Sequence, residues 1–418
     1  MNDVDLQEAL LESRVVSIDG REMFRVRFSR RVNSVSESMR RHGIIHESVV
    51  NEYCEALKQH YRVLCGLDSD YHWAPLTLPD QLACPVILQD LGSGLMGAAT
   101  TDGMTSPYLA LSTRSHEATP SLASRRRANV VLHELVHLLQ FQTQTWNYWP
   151  QRDCWGLADP NWWLHEAVAL AIEAESGIAP VSWYPWLWNW ATKPQTALDA
   201  DSHGACAAPF LQFLIRRFGR SIASSIYRIT PSDVASMRAT KVLAHTIRQT
   251  VDPQNVESVS DIFQSVFLDY CTDAALVGSG AATMDDAITQ VVGQRMRTAV
   301  FSEFPVHWSD PSAEINHLAC RYFEFVPPEN KVCLKVSVTP EASESLPVVV
   351  GSLVALSRED QVLSSARLCR SLSVGELSNS IPLNNQTSRV LLTVANTAHG
   401  TGWAQHDMAR VSITATVD

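Results

Sequence analysis

The sequence has no long apolar run, no basic block and no paired cysteine motif. Its 418 residues contain no stretch of about 18 apolar residues, so a helix that crosses a bilayer is not expected. The formal net charge of −11 is spread along the chain, which argues against a nucleic-acid partner. The nine cysteines include no C-x-x-C pair, so they are predicted to be reduced thiols rather than a disulfide framework or a zinc knuckle.

The first residues also lack the features of a secretory signal. The segment MNDVDLQEALLESRVV carries acidic residues where a signal peptide has Lys or Arg, and it has no sustained apolar core. The sequence therefore favours the cytoplasm, with export by a non-classical route as the alternative.

Hydrophobic patterning predicts an α+β protein of two or three domains. FRVRFSRR, CPVILQDLGSG and SPYLALSTR read as strands, and helical periodicity covers residues 46–64 and about 121–145. A further helix is predicted at about 160–176, with Asp159 as its N-cap and Gly177 just beyond its end. Helical patterns continue to about residue 298.

The hydrophobic pattern of the sequence changes after about residue 298. In residues 302–418 the chain consists of short alternating runs, such as KVCLKVSVT, in which every second residue is apolar. RVLLTVANTA and ARVSITATV are similar strand-like runs. This pattern is typical of strands with one buried face, and it predicts a separate C-terminal β-sandwich.

The segment VVLHELVHLL places three titratable residues in an otherwise apolar run: His133, Glu134 and His137. Residues four apart on a helix lie one turn above each other, so the two histidines point the same way. Their imidazoles can bind one Zn²⁺, and the glutamate between them can take a proton from a water at the open metal position. The alternative is two core histidines and a paired glutamate, each with its own partner.

A third ligand has to come from elsewhere in the chain. Metzincins have Gly and His where this sequence has Gln140 and Thr143, so that subclass is excluded. The predicted helix at 160–176 offers His165 and Glu166. Adjacent helical residues point about 100° apart, so only one of the two is expected to face the metal.

HELVH followed by WWLHEAVA resembles the two zinc motifs of the gluzincin metallopeptidases, in which an aromatic residue precedes the ligand Glu and small residues follow it. The resemblance places Glu166 in the third ligand position and Glu134 as general base. It implies a thermolysin-like catalytic domain at residues 21–300, after an N-terminal extension at 1–20 and before the sandwich at 302–418. In such a domain a cleft is expected between an N-terminal α/β part, about 21–145, and a helical part, about 155–300.

Two departures from the gluzincin pattern concern the residues around the metal. Many members have an acidic residue one turn after the ligand Glu, where this chain has Leu170, so another acceptor must orient a zinc histidine. Glu173 is a candidate, although the simpler interpretation is an exposed helix carboxylate. His203 stands where the family has an oxyanion-stabilising Tyr, and a solvated loop residue is its alternative interpretation.

The sequence thus predicts a zinc-dependent peptidase that acts on a peptide or protein substrate. The upstream strand GAATTD or SPYLALS is expected to pair with extended substrate. The sandwich is expected to bind a protein or carbohydrate ligand. Two alternatives stay open, namely an inactive peptidase fold that serves as a binding or scaffold protein, and a zinc hydrolase of a non-peptide amide or ester.

Overall fold

The computed structural model describes residues 12–28, 45–78, 83–89, 91, 96–101, 107–112, 119–143, 161–178, 186–200, 204–229, 239–251, 254, 258–277, 297–341, 348–370, 375–398 and 408–418. Helices and several sheets are both present, so the α+β class is confirmed. The chain divides into two compact units. The first, here the site unit, is Met1–Pro180 with Leu214–Arg238, and the second, the sandwich unit, is Val181–Phe213 with Ala239–Asp418.

The site unit contains one five-stranded sheet with strand order β1-β2-β3-β5-β4. Neighbouring strands β2 and β3, and β3 and β5, run parallel, whereas β1 and β4 are antiparallel edge strands. Within the described part of the chain, β4 therefore has a free edge and β5 lies inside the sheet, and these are the two strands predicted to pair with substrate. The strands are Glu12–Ile18 (β1), Arg21–Phe28 (β2), Cys84–Gln89 (β3), Gly97–Thr101 (β4) and Pro107–Ser112 (β5).

Three long helices belong to the same unit, namely Glu47–Cys65 (α1), Pro120–Thr143 (α2) and Trp162–Ser176 (α3). Helix α1 buries one apolar face, as the sequence predicted, whereas the buried residues of α2 and α3 lie on nearly all sides of those helices. Helix α3 ends at Gly177, whose φ of 65° is left-handed, as predicted for a glycine at this position. Its N-cap is Asn161, while the predicted cap residue Asp159 lies outside the described residues.

The helices of the sandwich unit are Trp186–Thr192 (α4), Ala239–Val251 (α7) and Val259–Ala275 (α8), together with the 3₁₀ turn Gly204–Ala207. Helix α5 (Ala208–Phe218) lies in this unit up to Phe213, and the short α6 (Ile222–Ser225) belongs to the site unit. Helix α8 packs against two strands of the C-terminal sandwich, Val349–Leu356 and Arg389–Asn396. Ser258 caps it by accepting a hydrogen bond from the Asp261 N–H.

The C-terminal strands form two five-stranded sheets with the orders β11-β10-β14-β8-β6 and β12-β13-β9-β15-β7. One cluster of buried apolar side chains draws on both sheets, which makes the pair a sandwich. The strands are Ala299–Phe301 (β6), Val306–Ser309 (β7), Ala319–Phe325 (β8), Cys333–Pro340 (β9), Val349–Leu356 (β10), Val362–Arg367 (β11), Cys369–Arg370 (β12), Leu377–Pro382 (β13), Arg389–Asn396 (β14) and Val411–Val417 (β15).

Two absences apply to the described part of the chain alone. No helix there is both long and apolar enough to cross a bilayer. The eight cysteines that fall within it are all free thiols. The boundaries predicted at residues 20 and 300 stay predictions, because compact units group residues by contact and not by function.

Candidate metal site

Two neighbouring helices of the site unit carry the predicted metal ligands. His133 and His137 lie four residues apart on α2, and Glu166 lies on α3, which packs against α2. Leu132, Leu135, Val136 and Leu139 of α2 are almost fully buried. Because these apolar side chains fix α2 in the interior, the histidines are fixed as well.

The three side chains converge, as the sequence predicted. Ligand atoms of His133, His137 and Glu166 all lie within 4.8 Å of one another. The Glu166 carboxylate is 3.3 Å from Nε2 of His137 and 3.6 Å from Nε2 of His133. Two imidazoles and a carboxylate in this arrangement can hold a metal ion.

His133 is oriented by Glu173, which lies two turns beyond Glu166 on α3. Nδ1 of His133 donates to one carboxylate oxygen of Glu173, and the amide of Asn129 donates to the other. Glu173 is 4% exposed, so its interpretation as an exposed helix carboxylate was wrong. Glu173 therefore supplies the hydrogen-bond acceptor for Nδ1 of His133 that Leu170 cannot provide.

His137 is oriented by Gln140 of its own helix. Nδ1 of His137 donates to the Gln140 side-chain oxygen over 2.8 Å, and the Gln140 amide donates to the backbone carbonyl of His165 over 3.0 Å. The imidazole also stacks on Trp162, with 5.6 Å between the ring centroids. Gln140 thus orients a ligand and links the two ligand-bearing helices.

These contacts determine which nitrogens face the cluster. Both Nδ1 atoms donate to oxygens, so the Nε2 lone pairs of His133 and His137 point inward. The two Nε2 atoms are 2.9 Å apart, and lone pairs that close repel each other unless a proton or a cation lies between them. The donor set therefore fits a bound cation better than an empty pair of imidazoles.

The charge of the cluster leads to the same conclusion. Burial lowers the pKa of His133, but the carboxylates of Glu173, Glu166 and Glu134 outweigh burial and raise it. Burial raises the pKa of Glu166, but His137 and His133 outweigh it, and that carboxyl titrates below its ordinary range. Three carboxylates around two imidazoles leave an excess of negative charge that a divalent cation would neutralise.

Glu134 lies beside this cluster and is itself buried, with 7% exposure. Burial raises the pKa of Glu134, and its electrostatic interaction with His133 and His137 lowers that pKa by less. The N–H of Ala99 on β4 donates a hydrogen bond to its carboxylate. A carboxylate with a raised pKa next to a metal site is suited to taking up and releasing a proton.

His165 does not join this cluster, so Glu166 is the residue of the pair on α3 that lies with the two histidines. Its Nδ1 lies 3.2 Å from the hydroxyl of Tyr227, and the two rings stack 5.6 Å apart. Burial lowers the pKa of His165 to about 3, so the imidazole is neutral near pH 7.

Among the predicted residues, the structure brings together His133, Glu134, His137 and Glu166. His203 lies outside the described residues, as do Tyr184 and Tyr148, the tyrosines that we would test next as oxyanion donors if His203 has no such role. Sequence reasoning missed Asn129, Gln140 and Tyr227 as partners of the site. Asn129 and Gln140 had a detectable signal, because they lie four residues before His133 and three after His137 on one helix.

Comparisons with known proteins add little to this geometry. No family model matches the chain, and no curated protein matches it. One solved structure to which the chain is weakly similar is described as a novel family GH115 4-O-methyl-alpha-glucuronidase with specificity for decorated arabinogalactans. The sequence identity is 12% and the TM-score is 0.18. The match covers 71% of this chain and 40% of the glucuronidase. A likeness this low carries no argument about fold or activity.

Proposed function

We propose that the protein is a zinc-dependent peptidase of the gluzincin type, with a thermolysin-like catalytic domain in residues 21–300. The single observation that carries the proposal is the convergence of His133, His137 and Glu166 beside the buried carboxylate of Glu134. Two imidazoles and one carboxylate form a common ligand set of catalytic zinc, which keeps a fourth position open.

Zinc in this site would polarise a water molecule and the carbonyl of the scissile bond. Glu134 takes a proton from the attacking water and passes it to the leaving amine. Its burial supports this role, because a carboxylate with a raised pKa is a stronger base and takes the proton from the attacking water more readily than an exposed carboxylate would. Glu173 and Gln140 hold the histidines in the orientation that ligation requires.

The free edge of β4 supports a peptide rather than a small-molecule substrate. An edge strand has backbone groups without partners in its own sheet, and an extended peptide can pair with them. The contact between Ala99 of this strand and Glu134 places the edge next to the carboxylate that acts on the substrate.

Hydrolysis of a pool of quenched fluorescent peptides by zinc-loaded protein tests the proposal. Wild-type protein should bind about one zinc per chain and cleave the pool, and a chelator should abolish cleavage until zinc is restored. Glu134→Gln should keep zinc but lose turnover by orders of magnitude, since the amide cannot act as a base.

The other outcomes separate the alternatives. Zinc binding without cleavage of any peptide would favour one of the two alternatives, namely a scaffold protein or a hydrolase of a non-peptide amide or ester. Protein that takes up no zinc would contradict the proposal at its first step. Full activity in Glu134→Gln would contradict the proposed mechanism while leaving zinc dependence in place.

A further inference from the structure

The edge strand β4 lies against the side chain of Glu134 at a distance that only glycine permits. A Cβ atom added to Gly97 would lie 2.7 Å from Cγ and 2.8 Å from Oε1 of Glu134. It would also lie 2.8 Å from a methyl carbon of Val130. Carbon atoms in contact are normally about 3.5 to 4.0 Å apart, so any side chain at position 97 would displace Glu134, Val130 or the strand.

Backbone conformation does not explain the glycine. Gly97 is not among the residues with a left-handed φ, so an L-amino acid could adopt its backbone angles. The close approach to the helix is the remaining physical reason for a residue without a Cβ.

The pairing of β4 with β5 shows which backbone groups face the free edge. The carbonyl of Met96 accepts a hydrogen bond from Ser112 of β5 over 2.8 Å. In an antiparallel pair the residues alternate between facing the partner strand and facing away from it. Since the pairing of Gly97–Thr101 with β5 is regular, Ala98 faces β5, whereas Gly97 and Ala99 face the free edge.

The free-edge N–H of Ala99 is therefore available to a group outside the sheet, and the Glu134 carboxylate accepts from it. A carboxylate that accepts from Ala99 through one oxygen can still exchange a proton through the other. The strand thus affects the Glu134 side chain in two ways. Ala99 donates a hydrogen bond to the carboxylate, and Gly97, which has no Cβ, leaves room for the side chain.

We propose that Gly97 and the N–H of Ala99 are positioning elements that hold the Glu134 carboxylate in its reactive orientation. The catalytic consequence rests on the proposed peptidase function, but the contact itself does not. A displacement of about 1 Å at a reacting group can lower a rate roughly 100-fold, so the missing methyl group at Gly97 should matter for turnover.

Amide hydrogen exchange tests the contact without any activity. In Glu134→Ala the Ala99 amide should exchange at least 10-fold faster than in the wild type, because its acceptor is gone. The neighbouring Ala98 amide, which faces β5, should be unchanged and serves as the internal reference. Glu134→Gln keeps an acceptor oxygen and should preserve the protection of Ala99. Unchanged exchange at Ala99 in Glu134→Ala would overturn the proposal.

Substitution of the glycine tests the positioning role. In zinc-loaded Gly97→Ala, kcat on the fluorescent peptide pool should fall at least 10-fold, whereas KM and zinc content should stay near wild type. Gly351→Ala is the matched control, because a Cβ on this strand glycine of the sandwich would have its nearest neighbour, a Leu368 carbon, at the same 2.7 Å. Its kcat per folded molecule should not change. A normal kcat in Gly97→Ala would overturn the positioning role.

A double-mutant cycle separates positioning from general damage to the fold. Glu134→Asp shortens the side chain that the added methyl group would displace, so Gly97→Ala should cost less than about threefold in that background. An equal loss in both backgrounds would overturn the proposal. Failure of the wild type to cleave any peptide would contradict the peptidase function alone, since hydrogen exchange still decides whether β4 holds Glu134.

Discussion

The interiors of the two compact units differ in chemistry. The core cluster of the sandwich consists of apolar side chains from both sheets, including the fully buried Phe323, Leu353 and Ile413. The interior between α2 and α3 contains buried polar groups instead: Glu134, His137, Gln140, His165 and Glu173. The sandwich core is stabilised by burial of apolar area, which depends little on any single partner. The polar interior is stable only while each group keeps its partner.

The difference indicates where the proposed function would be located and which contacts maintain the candidate site. An apolar core tolerates changes of shape better than changes of volume, and it carries no chemistry. A buried network of carboxylates and imidazoles costs stability, but it orients lone pairs toward one point. A substitution in the sandwich core should therefore lower stability and leave metal binding unchanged. A substitution in the polar interior should lower metal binding with little effect on stability.

The largest expected effect is on stability, in the apolar core. Phe323 is fully buried and packs edge-on against Trp308 with 4.8 Å between ring centroids. Phe323→Ala should lower the free energy of unfolding by about 3–5 kcal/mol through the cavity that it leaves. Denaturant unfolding measures the loss, and zinc content should not change. Val300→Ala, at a residue 58% exposed, is the control and should cost less than about 0.5 kcal/mol. A Phe323→Ala protein that loses zinc would break the comparison.

The second effect is on zinc affinity, in the polar interior. Glu173→Gln removes the charge that Nδ1 of His133 contacts, so zinc affinity should fall about 10- to 100-fold with little change in unfolding by denaturant. Competition with a chromophoric chelator measures it. Glu175→Gln is the matched control on the same helix, because Glu175 pairs with Arg216 over 2.7 Å. Equal zinc affinities of the Glu173→Gln and Glu175→Gln variants would show that Glu173 has no role in metal binding.

The third effect is a loss of stability between pH 7 and pH 5 that we expect in the site unit. Burial lowers the pKa of His60 on α1 to about 4. Since the unfolded chain binds the proton first, stability is full above the unfolded pKa near 6.5 and is lost as the pH falls toward 4. At pH 5 the loss should be about 2 kcal/mol.

Hydrogen exchange in α1 and α2 at pH 7 and pH 5, corrected for intrinsic rates, measures this loss against the sandwich strands. His60→Gln removes one of the two lowered histidine titrations of this unit and should make the pH dependence in those helices shallower, while the part due to the buried His165 remains. The idea fails if the variant and the wild type lose protection equally on acidification.

The smallest effect should be the same in both units. Gly177 ends α3 at φ 65° and Gly375 precedes β13 at φ 68°, and a Cβ would meet no neighbour at either position. Gly→Ala at each site should cost about 1 kcal/mol through backbone strain alone. Neither variant should lower peptide hydrolysis or zinc content. A clear loss of zinc in Gly177→Ala would show that the end of α3 influences Glu166.

Much of the architecture followed from the sequence, because local patterns determine it. Periodicity predicted α1, α2 and α3 to within a few residues, and alternation predicted the C-terminal strands. The pairing of His133 with His137 needed only the geometry of one helix. The choice between His165 and Glu166 could not be made that way, since both positions on α3 were compatible with a neighbouring helix.

By itself the sequence predicted the helices, the strands and the four-residue spacing of the two histidines, because these follow from the spacing of apolar and polar residues along a short stretch of chain. Only the tertiary structure decided that Glu166 faces the histidines, that Glu173 is buried against His133, and that β4 lies at the edge beside Glu134. These contacts join residues 29 to 40 positions apart in the chain. Such pairs are set by how the helices and the sheet pack together, and the same local pattern is compatible with several packings.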